Sequence, residues 1–284
     1  MSTNNFKSFA VAGIANTVGV PTIKHLLERG VSVIVLTRPG STKALPEGVK
    51  VIPVDYSDVN AVTAVLKEHS VDVFISTIGG GGFATQIPLA DAAKAAAVKL
   101  FVPSEFGVPT EGAKEGLWGI KNQVAIHLNS IGLPSLRLYT GAFIEWIPWA
   151  AAIQETGKFF FICKGDTPIS YCGLDDIGAY LAYILTTVPP AQLNDTEIRI
   201  EGYRATWREI AALYEGKVPI EPAESIPSHV PMADFRMLVQ RAFDTGMGST
   251  GWDPVACKES YDPKAGNKLY PDFKWKTVKE ILDL

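Results

Sequence analysis

The chain has 284 residues, enough for one large domain or a main domain with a smaller lobe, and either buries a substantial core. Hydrophobic residues make up 47% and charged residues 20%, with 25 glycines and 19 prolines dispersed along the chain, a soluble composition that excludes wholesale disorder. A formal net charge of -4 argues against a general nucleic-acid surface, because neutralising phosphates takes a clustered excess of Lys and Arg.

The first predicted element is SFAVAGIANTVG at residues 8–19. A short apolar run ends in Gly13, and Val20, Ile23, Leu26 and Leu27 then fall on one helical face, so the segment reads as strand, glycine turn, helix. Such a turn aims backbone N–H groups and the positive end of a helix dipole at one spot, where a phosphate sits without a basic side chain. Gly13, Asn16, Thr17, Val18 and Gly19 are the candidate cofactor contacts. The pattern is G-x-x-N-x-x-G, with asparagine where glycine lets a pyrophosphate approach the backbone, and an ordinary strand-to-helix turn gives the same local sequence.

VSVIVL at 31–36 is a β-branched run suited to a strand buried on both faces, and Arg38 follows it at once. In a nucleotide-binding α/β fold that place reaches the adenosine ribose, where an arginine accommodates a 2′-phosphate and so favours NADP over NAD. The alternative is a solvated arginine in the loop at 39–47. A third strand is expected at 49–54, then a helix capped by Asp58 or Ser57 with Ala61, Val62, Val65 and Leu66 on its apolar face.

VDVFIST at 71–77 is a fourth buried strand that runs straight into Gly79, Gly80, Gly81 and Gly82. Thr77, Gly79 and Gly80 then lie beside the first turn at the carboxyl edge of the sheet, unless the glycines are only a linker. An alanine-rich helix at 86–99 delivers the chain into KLFVPSEFG at 99–107. Strands alternating with helices predict an α/β fold with a parallel, right-handed, doubly wound sheet.

FVPSEFG after the fifth strand, together with VAGIANTVG and VDVFISTIGG, resembles the NmrA-like and isoflavone-reductase-like family of atypical short-chain dehydrogenases/reductases. The resemblance continues through GIKNQV at 119–124, GLPSLRLYTGAF at 132–143, DDIG at 175–178 and LYPDFKWKTVKEIL at 269–282. It implies a Rossmann-type NAD(P)-binding domain at 1–150 and a smaller α+β substrate-binding lobe at 151–284; the strands around Phe159 and Ile198 read as extending the main sheet.

Helical spacing at 117–131 carries Lys121, which on spacing alone is either a solvated face lysine or a working amine. In the family's reductases the lysine of this helix lies at the nicotinamide as general base or proton relay, and Lys121 is the matching position. Leu117 stands where related dehydrogenases carry a tyrosine one helical turn before the lysine, so that proton donor is missing. Ser104, at the end of the fifth strand, either bonds substrate or cofactor, as a second catalytic candidate, or stabilises the turn before Glu105. Phe143, Trp146 and Trp149 follow the sixth strand where the family places a loop over the nicotinamide; together they suit a planar apolar substrate. Gly141 stands where the family often has asparagine.

The second half reads as short strands at 159–162 and 168–171, a helix opened by DDIG, a strand at 197–201, and a helix from Thr206 with Glu209 completing a capping box. Residues 219–231 form a proline-rich connection, a helix follows with Phe235, Leu238, Val239 and Phe243, and 246–251 make a loop. Cys163, Cys172 and Cys257 are odd in number and widely spaced, with no CxxC pair or clustered histidines, so they read as reduced packing residues with no metal site. MSTNNFKSFA lacks a charged region followed by a long apolar stretch, and no later run spans a bilayer, so a cytoplasmic protein without membrane contact is expected.

The resemblance implies an oxidoreductase of secondary metabolism that passes a hydride from NADPH to a small aromatic or conjugated molecule, such as an enone, a quinone methide or a benzylic ether. Two other classes stay open: a regulator that binds NADP(H) without turning it over, and a cofactor-independent isomerase on the same scaffold. Oligomeric state is silent in the sequence.

Overall fold

The computed structural model describes residues 5–14, 17–42 and 45–284. The first half alternates strand and helix: β1 (Ser8–Ala12), α1 (Gly19–Glu28), β2 (Ser32–Thr37), β3 (Lys50–Pro53), α2 (Val59–Glu68), β4 (Val73–Ser76), α3 (Gln86–Ala95), β5 (Leu100–Val102), α4 (Gly116–Ser130) and β6 (Leu136–Tyr139). All pairings are parallel, in the order β3-β2-β1-β4-β5. A parallel bridge from Phe101 to Ser135 joins β6 to that sheet, and β10 (Thr196–Arg199) pairs in parallel with β6. The strand around Ile198 thus lies alongside β6.

Period-two alternation divides the sheet's side chains between two cores. Phe9, Val11, Val35, Val73, Ile75 and Val102 face one layer with Ile23 and Leu26 of α1 and with Ile177, Leu181 and Ile184 of α7 (Leu174–Thr187). Ala10, Ala12, Ile34, Leu36, Phe74 and Phe101 face the other with Val62 and Leu66 of α2, Leu89 of α3, and Val124 and Leu128 of α4. Helices on both faces of a parallel sheet make the Rossmann-type doubly wound fold. The glycine of DDIG has a packing reason: a Cβ on Gly178 would lie 2.6 Å from the Pro21 carbonyl carbon, so α7 and α1 approach backbone to backbone.

Beyond β6 the chain builds small sheets. β7 (Ala142–Phe143), β9 (Pro168–Cys172) and β11 (Tyr203–Thr206) form one, in the order β11-β9-β7. Between them lie α5 (Ile147–Ala150), α6 (Ile153–Thr156) and β8 (Phe159–Phe161). β8 does not extend the main sheet as its apolar sequence suggested; it pairs with β12 (Ile220–Pro222), and Phe159 packs at a tilt against Trp207 and Tyr214 in a separate core. The proline-rich connection is therefore anchored, with β12 in the ladder and Ile226 and Val230 buried. The remaining elements are α8 (Trp207–Ala212), α9 (Ala233–Asp244), the ribbon β13 (Trp252–Asp253) with β14 (Lys258–Glu259), and α10 (Val278–Leu282).

The caps read from sequence are present. Asp58 Oδ1 accepts from Ala61 N at 2.9 Å and starts α2, while Thr206 and Glu209 form the reciprocal box at α8. α3 ends at Ala95, short of the expected Lys99, and Ala97 takes a positive φ before β5. Of the cysteines, Cys172 is buried and Cys163 half-buried, but Cys257 is exposed in a turn rather than packed. Among the described residues, no helix is long and apolar enough to cross a membrane.

Candidate active site

The register puts the ends of four strands at one edge. Ala12 pairs with Leu36 of β2 and with Ser76 of β4, and Ile75 pairs with Val102 of β5. Gly13, Thr37, Thr77 and Pro103 therefore emerge together, and the order reverses between β1 and β4, the crevice where α/β sheets take ligands.

Gly13 is needed there twice over. Its φ is +89°, and a Cβ would sit 2.4 Å from Ile78 N. Gly19 would drive a Cβ to 2.6 Å from Thr77 Oγ1. Thr77 locks the two turns together, its hydroxyl donating to the carbonyls of Gly13 and Ala12 and its N–H donating to Ala12 O at 2.7 Å. Among the described residues, α1 takes Val18 as its N-cap, with no side-chain cap from that residue and no acid in its first turn. Thr17 is half-buried; Val18 packs its side chain into the core, so only its backbone faces the turn. Asn16 lies outside the described residues.

Across the crevice, a Cβ at Gly79, Gly80 or Gly81 would meet nothing within 4 Å. The glycines do not form a plain loop: Gly80–Thr85 is a 3-10 turn leading into α3. Arg38 is exposed just past β2. Beside it, Tyr56 is buried and donates to Leu36 O at 2.6 Å; burial pushes its phenol up, while the Gly13 backbone and Arg38 pull it back. A bare backbone rim, a helix start with no acid in its first turn and an exposed arginine fit a phosphorylated dinucleotide.

The second half of the site is a cavity of about 170 Å³ between the sheet edge and the small sheets. Leu117, Trp118 and Lys121 of α4 form one wall, and Phe143, Trp146 and Trp149 another. Tyr171, Trp207, Phe235 and Phe243 close it from the second half of the chain. The aromatics form a continuous series: Phe143 to Trp146 at 5.1 Å edge-on, Trp146 to Trp149 at 5.7 Å, and Trp149 to Phe235 at 6.0 Å. Arg236, 1% exposed, pins this wall: it lies over the Trp149 ring, donates to Trp149 O at 2.8 Å and pairs with Glu155. Trp146 is 40% exposed at the cavity's rim.

Lys121 is the charged side chain of this wall among the described residues. Its Nζ donates to the Glu105 carbonyl and lies 4.9 Å from the Phe83 ring centroid. Burial pulls its amine below the ordinary lysine value, and the Glu105 carboxylate opposes that shift. Phe83 belongs to the 3-10 turn after Gly79, so the amine links the glycine rim to the aromatic cavity.

The structure thus brings Lys121, Phe143, Trp146 and Trp149 together, and separately gathers Gly13, Thr17, Gly19, Thr77, Gly79 and Gly80, with Arg38 at the outer end. Ser104 stays out of the cavity wall: Gln86 Oε1 accepts from its N–H at 2.8 Å, and its hydroxyl has no hydrogen-bond partner among the described residues. Gly141 has a steric cause, since at φ +69° a Cβ would lie 2.1 Å from Ser170 O. The sequence did not single out Phe83, Tyr171 and Phe235, which reach the site only through tertiary packing, nor Trp118, which lies on α4 three residues before Lys121. Tyr171 is fully buried with its hydroxyl unpaired among the described residues, and burial pushes its phenol well up.

The sequence pattern of the NmrA-like family matches residues 7–282. The chain belongs to the NmrA-like family. A phenylcoumaran benzylic ether reductase of Ginkgo biloba is 25% identical to it over 301 residues, covering 96% of this chain and 97% of that protein. An isoflavone reductase homologue of Arabidopsis thaliana is 27% identical over 256 residues, covering 83% and 81%. Among solved structures, the leucoanthocyanidin reductase–NADPH complex of Vitis vinifera superposes with a TM-score of 0.78 at 20% identity, covering 97% and 98% of the two chains. An NADPH-dependent quinone oxidoreductase of Escherichia coli gives 0.76 at 20%, with the same coverage. At such identities the superpositions speak for the Rossmann-type fold.

Proposed function

We propose that this NmrA-like chain is an NADPH-dependent reductase of a small aromatic or conjugated molecule, with Lys121 as its general base or proton relay. One observation carries the reading: a desolvated amine stands in an aromatic wall and touches, through Phe83, the glycine rim at the sheet's switch point. The reductases among its relatives, and the NADPH named in the Vitis vinifera complex, support the cofactor.

Gly13, Thr17, Val18 and Gly19 would hold the pyrophosphate by backbone N–H groups, with Thr77, Gly79 and Gly80 on the opposite side and Asn16 in the same turn of the sequence. Arg38 would meet the 2′-phosphate, because an exposed guanidinium past β2 suits a dianion where a carboxylate would repel it. When bound, NADPH supplies a hydride to an electrophilic carbon. The chain's own residues orient the substrate and keep the site dry: Phe143, Trp146 and Trp149 present ring faces to a planar enone, quinone methide or benzylic ether. Lys121 handles the accompanying proton at Nζ, taking a phenolic proton as the neutral amine or giving one to the oxygen left negative by hydride addition, and its lowered proton affinity suits both. Residues 151–284 contribute the substrate-binding lobe through Tyr171, Trp207, Phe235 and Phe243.

The test is NADPH oxidation by the purified chain against a panel of benzylic ethers, quinones and enones, beside the Lys121→Ala variant. Turnover that falls in the variant while NADPH affinity holds supports the reading. NADPH binding without turnover of any class would favour the regulator instead, and equal turnover in Lys121→Ala would remove the lysine's role.

A further inference from the structure

The loop after β5 carries a buried acid that the hydride reaction does not itself require. Glu105 is 1% exposed, and its two functional groups point to different tasks. Its main-chain carbonyl accepts from Lys121 Nζ. Its carboxylate accepts from Arg137 Nε at 2.9 Å and from the Thr110 hydroxyl at 3.1 and 3.0 Å. Arg137 continues the network to Glu197 at 2.7 Å and to Thr110 at 2.8 Å, and Glu197 pairs with Arg199 at 3.1 Å. The next residue, Phe106, has φ +26°, a conformation that a non-glycine residue keeps only when its surroundings impose it. The network supplies that restraint, since it fixes the residue on one side of the strained position.

The other groups packed around Lys121 leave Glu105 as the acid that acts on it. The 3-10 turn offers the Phe83 ring, and the cavity side offers Leu117, Trp118 and aromatic rings. On α3, Asp91 is engaged by His127 at 2.7 Å and Lys94 by the Gly132 carbonyl at 2.7 Å. On β6, Arg137 is turned to the two glutamates.

We infer that Glu105 is a positioning residue for Lys121: its carbonyl fixes where the amine sits, and its carboxylate, clamped by Arg137 and Thr110, governs how firmly that amine keeps its proton. The inference rests on Lys121 as the working amine only for its consequence in catalysis; the arrangement itself is a property of the chain without ligand. The balance of forces agrees, because burial drives the amine towards neutrality and Glu105 is what opposes it. Glu105 and Arg137 should therefore push Lys121 in opposite directions, a signature that loss of packing does not produce.

The experiment is trace acetylation of the full chain across a pH series, reading the labelling midpoint of Lys121 by peptide mass spectrometry, with exposed Lys274 as the internal standard. In Glu105→Gln the midpoint should fall by about one pH unit, because the amine loses the charge that opposes its desolvation. In Arg137→Gln it should rise, because the carboxylate loses its cation. Thr110→Val, nearly isosteric, should raise it by less, and it carries the test if either charge variant fails to fold. An unchanged Lys121 midpoint in folded Glu105→Gln, shifts of one sign in both charge variants, or a Thr110→Val midpoint that does not rise would overturn the inference. Because labelling needs neither cofactor nor substrate, its outcome is independent of whether the chain is a reductase.

Discussion

Lys121 sits where burial and a single neighbouring acid compete for its proton, so its chemistry should show in a pH profile. A lysine that must be neutral to accept a proton works better as pH rises towards its own pKa, and here burial sets that pKa below the ordinary value of 10.5. kcat/KM should therefore climb with pH to a midpoint below that value, and a rate independent of pH would deny the lysine a proton-transfer role. Lys121→Met should lower turnover by about 100-fold or more while shifting NADPH affinity by less than about tenfold. Gly141→Asn, which restores the family's common residue, should instead destabilise the fold by roughly 1–3 kcal/mol, because the new Cβ meets Ser170 O at a positive φ. A thermal melt of that variant matching the parent would refute the steric account. The places of Gly13 and Gly19 at the turn were legible because glycine turns are local signals, whereas Lys121 was singled out only through the family resemblance. Phe83, Tyr171 and Phe235 were not legible, since each reaches the site through contacts between segments far apart in sequence.

Among the elements, those with a strong local code were read correctly: buried β-branched strands, the Asp58 cap of α2 and the box at α8. Thr206→Ala should cost about 1 kcal/mol in denaturant unfolding, because it strips an acceptor from the Glu209 N–H. Strand partners carry no such code, and β8 shows it: an apolar triplet suits a central strand, yet its pairing with β12 is decided by which backbone lies alongside. Glu145 couples the aromatic segment to α7, its carboxylate accepting from Leu174 N at 2.9 and 3.1 Å. Burial, with Asp176 and Asp175 nearby, holds its pKa above the usual carboxylate value, partly offset by those backbone bonds. A raised acid favours the folded state below its unfolded pKa, and that contribution is lost as pH rises through the folded one. Glu145→Gln, which keeps an acceptor for Leu174 without the charge, should therefore melt no lower than the parent at neutral pH, whereas Glu145→Ala should melt lower. A lower melt for the glutamine variant would mean that the charge at the helix start outweighs its burial.

At the scale of the molecule, one parallel sheet in the order β3-β2-β1-β4-β5, extended by β6 and β10, presents a rim bare of side chains, and α4 with the second half of the chain sets an aromatic cavity against it. The rim and the cavity meet at one amine, which is why the two halves read as cofactor and substrate sites of one reaction. A ligand that binds only the folded chain at 100 times its dissociation constant adds about 2.7 kcal/mol of stability, so saturating NADPH should raise the melting temperature by several degrees. Calorimetric titration of the chain with NADPH and NADH, beside Arg38→Asp, asks first whether the rim holds a phosphorylated dinucleotide. NADPH should bind more tightly than NADH, and Arg38→Asp should lose about tenfold or more of that preference. Absence of heat and of thermal stabilisation with either dinucleotide would contradict the reductase at its foundation.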